Sequence, residues 1–598
     1  MKTFKYLRIL TLSIAVCSVS CNKDLLDVDP LDKFPESAVW QDQSLVKAYV
    51  NNIYTGVTTG FGAVMLSSIV DESQHNQNWN TVPTANGLVT PSNLLVFGTS
   101  NNTYIDEMAW DASYEHIRSC NLFLEKIADV PFDNEAEKDV LTGEVRFLRA
   151  FFYQRLVSLY GGVPLITRTY TLDDEYTEPR STYEECIDFI VEECDQAAAL
   201  LPVTGDKARG LKGAALALKA RTLLYAASDL FNTGGDWASG YPNKELISYT
   251  GGSAQERWLA AKNAAKEVID LGAYSLYGGE SPASAEEATA NYSNIFLNTS
   301  TEEDIFLVFS NILDGNLGST SIATPGLFVG PNGWHNWGEN TPMGNFVDRF
   351  EMADGTPFSW NNPDHKANPY ENRDPRFYAT ILYEGATWRP RPADAAAMDP
   401  IGIVQVGSYT RPDGTVVPGL DTRQGPIEDW NGGYTGYYLR KFIDPTIDHQ
   451  YERQTLPFRK FRYAEVLLNY AEACIELGEE EEARTYINKV RARAGMPPVT
   501  VSGDALVAEY RNERAVELGF EEHRFFDVRR WMIAEDAYVP VRGVQVRGQL
   551  NGAGEIVERT YQEISSVEER VWDPHFYFVP ISIDEMNRNP ELVQNPLY

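Results

Sequence analysis

From Thr142 to Tyr160 the apolar residues Val145, Leu148, Phe152, Leu156 and Leu159 recur three and four positions apart until Gly161, Gly162 and Pro164 break the pattern. A chain with that period buries its apolar stripe by packing as an amphipathic helix against another element. The signal repeats elsewhere. Ser181 with Glu184, and Ser253 with Glu256, have the capping-box spacing that satisfies free amides at a helix start, and Pro202 and Gly272 stand at the matching ends. Leu211 to Phe231, rich in Ala and Leu, reads as a core helix. Phe461 to Leu477, a break at Gly478, and then Ala483, Tyr486, Ile487, Val490 and Ala494 read as a helix hairpin.

The string YAEACIELGEEEEARTYINKVRARAG is similar to one tetratricopeptide unit, a pair of helices whose Ala positions allow close approach, although no strict period of ~34 residues runs through the chain. Between Tyr274 and Leu456 the character changes to Gly, Pro, Asn and Trp, with short runs such as Ile305 to Phe309 and Ile401 to Val406 that read as minor strands. So long an irregular stretch is improbable as a plain connection, and we expect it to be functional and packed. The expected fold class is mainly α, irregular helix pairs with a large loop-rich insertion.

At the start, Lys2, Lys5 and Arg8 precede an apolar stretch, Ile9 to Val19, far short of the ~20 residues of a membrane-spanning helix. This is a secretory leader. Ser18, Val19, Ser20 and Cys21 resemble a lipobox, with Cys17 the weaker alternative site, so Cys21 is expected to carry acyl chains that hold the protein to a membrane at about 0.8 kcal/mol per buried methylene. Cys120, Cys186, Cys194 and Cys474 lie in helix-like patterns and read as small core residues. Removing the leader leaves 48 Lys and Arg against 85 Asp and Glu, a formal charge of −37. With no basic stripe, nucleic acid is excluded as a partner.

A set of strings in a fixed order resembles the SusD/RagB family and spans nearly the whole mature chain. They are CNKDLLDVDP, GEVRFLRAFFYQRLVSLYGGVPLI, FEMADG, NPYENRDPRFYATILYEG, TGYYLRKF, FRKFRYAEVLLNYAEACIELG, INKVRARAG, NERAVELGFEEHRFFDVRRW and FVPISIDEMNRNPELVQNPLY. The resemblance implies a SusD-like fold of tetratricopeptide-like pairs cradling a loop region. It also implies a surface-exposed outer-membrane lipoprotein that captures oligosaccharide or peptide nutrient, acts as the lid of a SusC-type TonB-dependent transporter, and is not an enzyme. The expected divisions are a leader over 1–20, a helical region over 21–272, the loop-rich insertion over 273–456 and a helical region over 457–598, forming one compact body.

A protein that binds sugars without altering them needs exposed aromatic faces for pyranose C–H groups and polar groups for hydroxyls. Three loop clusters offer them: Asp71, Asn78 and Trp79 in DESQHNQNW; Trp334, Asn336 and Trp337 in a Gly-rich setting; and Trp430 with Tyr434 before Tyr437 and Tyr438, which belong to the scaffold string. Trp237 is a weaker candidate. The charged run from Arg511 to Arg530 reads as intrahelical and interhelical ion pairs rather than a site. No GxSxG, HExxH, CxxC or Walker string is present, and no two of the seven histidines stand at i and i+4. A carboxylate-pair glycoside hydrolase leaves no motif to search for, and a tetratricopeptide adaptor is the remaining alternative. No cofactor is expected, and nothing in the sequence motivates calcium.

Overall fold

A computed structural model describes residues 36–77, 81–98, 105, 108–171, 173–310 and 324–598. The leader and Cys21 lie outside the described residues. The longer helices are α1 (Gln43–Tyr54), α2 (Trp110–Lys126), α3 (Glu135–Tyr160), α4 (Tyr183–Leu200), α5 (Lys212–Ala227), α6 (Ala254–Asp270), α7 (Ala285–Leu297), α8 (Tyr463–Glu476), α9 (Glu480–Arg493) and α10 (Asp504–Glu517). From α2 to α6 each helix packs on the next. The chain then leaves for the insertion and returns with α8 against both α6 and α9. The fold is mainly α. No described helix is long and apolar enough to cross a membrane.

The helix starts follow from local chemistry with one shift. Ser253 caps α6 as its spacing indicates, but the capping box of α4 uses Thr182 and Glu185, one residue beyond Ser181 and Glu184. The four cysteines are buried and unpaired, packed as small core residues.

Strands from the insertion pair with strands from outside it. In chain order they are β1 (Ser73–His75), β2 (Asp304–Val308), β3 (Asn340–Pro342), β4 (Ile381–Leu382), β5 (Ser408–Thr410), β6 (Val416–Pro418), β7 (Tyr438–Leu439), β8 (Phe458–Arg462), β9 (Val541–Leu550) and β10 (Ile556–Glu568). β1 pairs with β3 and β2 with β8, both antiparallel, and the largest sheet has the order β10-β9-β5-β6. The expected strand from Ile401 to Val406 is replaced by an isolated bridge, Thr387 to Ile403, and β5 forms further on, where it meets β9 in parallel. β9 and β10 place a long hairpin in a region expected to be helical; the alternation Val544, Gln545, Val546, Arg547 before the turn at Asn551 carries that signal.

The described residues bury three apolar clusters. The first joins α1–α6 to the C-terminal helices, the second lies beneath the insertion, and a third, smaller one packs α8, α9 and α10 together through Leu467, Ile487 and Tyr510. The second core also takes Phe61 and Met65 from the N-terminal loop and Val516, Phe520, Val544 and Val546 from the C-terminal region, so the insertion does not close a core of its own. A buried ionic web ties the insertion to the C-terminal helices: Arg376 on Asp374, Glu513 and Glu517; Arg462 on Glu303, Glu517 and Glu521; Arg493 on Glu303 and Glu517. The charged run is structural as expected, although most of its partners come from distant segments rather than the next helical turn.

Candidate functional site

The three loop clusters meet at one junction. The β1–β3 ladder continues as the Asn76 amide donates to the Glu339 carbonyl at 2.8 Å, and the Asn76 side chain donates to the carbonyls of Trp337 (3.0 Å) and Gly432 (3.2 Å). Asn332 donates to the carbonyls of Thr422 and Glu428, while its Oδ1 faces the Tyr438 hydroxyl at 2.9 Å. Gly432 sits at φ +101°, and a Cβ there would lie 2.8 Å from the Tyr438 hydroxyl and 2.9 Å from Asn332 Oδ1, so the close approach requires glycine.

Within the junction the candidates separate into floor and rim. Trp334 is 0 % exposed: the Arg391 guanidinium lies 3.6 Å from its ring centroid, and its indole nitrogen donates to the carbonyls of Arg389 and Pro390, both at 3.2 Å. Asn336 is buried against Gly330. His335, between them, turns the chain at φ +59° and bonds Asp394 and Glu428. Asp71 is buried and held by Arg524 (2.8 and 2.7 Å) and Arg349 (3.0 Å); burial pushes its carboxyl up, but the two guanidinium groups outweigh this and hold it well below the usual range. The expectation that Trp334, Asn336 and Asp71 contact ligand is therefore corrected, because each is covered; Trp334 and Asp71 are also committed to internal partners, while Asn336 Oδ1 is buried without a hydrogen-bond partner among the described residues. Trp237 packs on Tyr577 and Phe578. Asn78 and Trp79 lie outside the described residues.

The rim is formed by Trp430, 60 % exposed, Tyr434, 47 % exposed, and Trp337, half-buried with its ring 5.2 Å from that of Phe328. Beside Tyr434 opens a cleft of about 200 Å³ lined also by Ser408, Thr422, Arg423, Gln424 and Gln545. An aromatic face next to hydroxyl, amide and guanidinium groups is suited to a ring with an apolar face and polar substituents. Ser408, Arg423, Gln424 and Gln545 were not among the residues singled out from the sequence. The polar–apolar alternation of β9 marks Gln545 as outward-facing, but nothing local reveals that β9 stands beside Tyr434.

Glu339, next to the ladder, is fully buried and neither carboxylate oxygen has a hydrogen-bond partner among the described residues; burial pushes its carboxyl up to about 8. Among the described residues no group of three or more His, Cys, Asp or Glu is placed to hold a metal ion.

A family model described as the SusD family matches residues 303–598, and one described as starch-binding associating with outer membrane matches residues 24–224. A solved SusD-like protein from Bacteroides fragilis NCTC 9343 is 30% identical with a TM-score of 0.73, covering 96% of this chain and 100% of that one. A solved SusD-like carbohydrate binding protein from the same strain is 23% identical with a TM-score of 0.68, covering 93% of this chain and 100% of that one. A SusD-like protein of Formosa agariphila is 23% identical over 91% of this chain and 95% of its own length.

Proposed function

Because the chain belongs to the SusD family, we propose that it is a surface lipoprotein, anchored in the outer membrane through acylated Cys21, that captures oligosaccharide and passes it to a SusC-type TonB-dependent transporter. The observation that carries this reading is the convergence of three separate loops on one junction that exposes Trp430 and Tyr434, with Tyr434 lining a polar cleft. The description of one matching family model as starch-binding, and of a similar structure as carbohydrate binding, supports a glycan as ligand.

The protein binds without catalysis. A carboxylate-pair hydrolase needs two acids facing the substrate, whereas Asp421, the one carboxylate lining the cleft among the described residues, is bonded twice to Arg391, and nearby Glu428 is held by His335 and Asn431. Affinity electrophoresis against a polysaccharide panel, with copurification of a barrel partner from envelopes, tests the reading. Retention by at least one glycan and loss of it in Trp430→Ala/Tyr434→Ala are expected. A chain that copurifies with the barrel but ignores every glycan would overturn the choice of ligand, and one that binds glycan but never the barrel would overturn delivery.

A further inference from the structure

The charge around the cleft deepens the glycan-binding reading, on which this inference rests. The mature chain carries 85 acidic against 48 basic residues, and in its interior Arg376, Arg462, Arg493, Arg514 and Arg530 bear on buried carboxylates, whereas Arg180, Arg373 and Arg529 spend their N–H groups on backbone carbonyls and a hydroxyl. At the cleft the unmatched arginines are open to solvent rather than buried. The Arg423 guanidinium lies 4.6 Å from the Tyr434 ring centroid and spends one N–H on the Gly432 carbonyl at 2.9 Å; it makes no ion pair among the described residues. Arg547 projects from β9 on the same exposed face as Gln545, opposite cleft-lining Ser408 in the β5–β9 register, and also has no carboxylate partner among the described residues. Of the acids at hand Asp421 is committed to Arg391, Glu428 to His335 and Glu563 to Arg542, while Asp429, beside Trp430, and Glu558 of β10, opposite Gln549, are exposed and make no ion pair among the described residues.

We propose that this cleft recognises an acidic sugar, whose oxyanion, a uronate carboxylate or a sulfate ester, is taken by Arg423 and Arg547 while Tyr434 receives the ring's C–H face. Guanidinium presents a planar fork of donors that matches an oxyanion, and one already stacked on an aromatic ring and tied to a carbonyl loses less freedom on binding. In a strongly anionic chain the far field repels such ligands, so Arg423 in the cleft, with Arg547 next to cleft-lining Ser408 and Gln545, forms a local exception that short-range contacts can exploit.

The test is affinity electrophoresis and calorimetry of the full mature chain with uronate-rich, sulfated and neutral polysaccharides and their oligosaccharides, several backbones of each. An acidic glycan is expected to bind about tenfold or more tighter than its neutral counterpart, the scale of one charged hydrogen bond. The two acidic arms then identify which oxyanion is preferred. In Arg423→Gln and in Arg547→Gln the acidic-to-neutral ratio should fall by about tenfold, with unchanged melting as the control for folding; the second variant serves if the first is unstable. Neutral glycans binding as tightly as acidic ones, or folded variants that keep the full preference, overturn the acidic-sugar assignment and leave glycan capture standing. No glycan of any class binding overturns both.

Discussion

Trp334→Ala and Trp430→Ala test the division between floor and rim, because the two indoles look alike in sequence and have opposite surroundings. Trp334 is 0 % exposed, and truncation leaves a cavity beneath Arg391, which stays bonded to Asp421 and Asp399. A buried aromatic lost in this way costs about 3–5 kcal/mol. At about 2.1 cal/mol/K of unfolding entropy per residue, the whole chain has about 1.3 kcal/mol/K, so melting should fall by about 3 °C. Trp430 is 60 % exposed, and its truncation should cost about 0.5 kcal/mol or less. A pyranose face covering about 60 Å² of apolar indole, at about 25 cal/mol/Å², contributes about 1.5 kcal/mol, so glycan affinity should drop about tenfold. Calorimetric melting and glycan titration on the same preparations read both effects. Unchanged melting in Trp334→Ala with weakened binding, or melting lowered in Trp430→Ala by as much as in Trp334→Ala, would refute the assignment.

Glu339 gives a pH prediction: its carboxyl, raised from 4.5 to about 8, keeps its proton in the folded chain and releases it on unfolding, so its contribution to stability falls by up to about 1.4 kcal/mol per unit as pH climbs between those values. Glu339→Gln should flatten that decline, and melting curves from pH 5 to pH 8 that run parallel to the parent's would count against it. Arg462→Ala strips a shared cation from Glu303, Glu517 and Glu521 and should cost about 3–5 kcal/mol, read as a melting loss of about 3 °C; unchanged melting would show that the web is not needed. Cys21→Ser should abolish incorporation of labelled palmitate and release the protein from envelopes, and a variant that still sediments with them would remove the lipid anchor from the account.

The helices were legible because their apolar residues repeat locally: α3 ends at Gly161 as its spacing requires, and α8 and α9 flank Gly478. What failed depends on partners far along the chain. Ser181 with Glu184 and Thr182 with Glu185 both fit a capping box, and only backbone geometry selects the second. The run Ile401 to Val406 has strand composition, yet the ladder forms at Ser408–Thr410 because β9, more than a hundred residues later, supplies the neighbouring edge. Trp334 and Trp337 share a Gly-rich loop with no period to mark an inside, so the left-handed turn at His335 decides which indole is covered.

The ionic web explains how irregular loops can hold a defined rim. Taking these charges out of water offsets much of their mutual attraction, so the web is a poor source of net stability. Its value lies in discrimination, because a guanidinium with several carboxylates at fixed positions tolerates little displacement. Arg376 sits just before the strand Ile381–Leu382 and is fixed to Glu513 and Glu517 of α10; Lys441, just after Tyr438–Leu439, is fixed to Glu521. β4 and β7 pair with each other, so the segment that carries Trp430 and Tyr434 enters the second core from an end clamped to the helical scaffold. Displacing that segment would leave buried charges unmatched at a cost of several kcal/mol, and the aromatic rim is therefore held in a defined place.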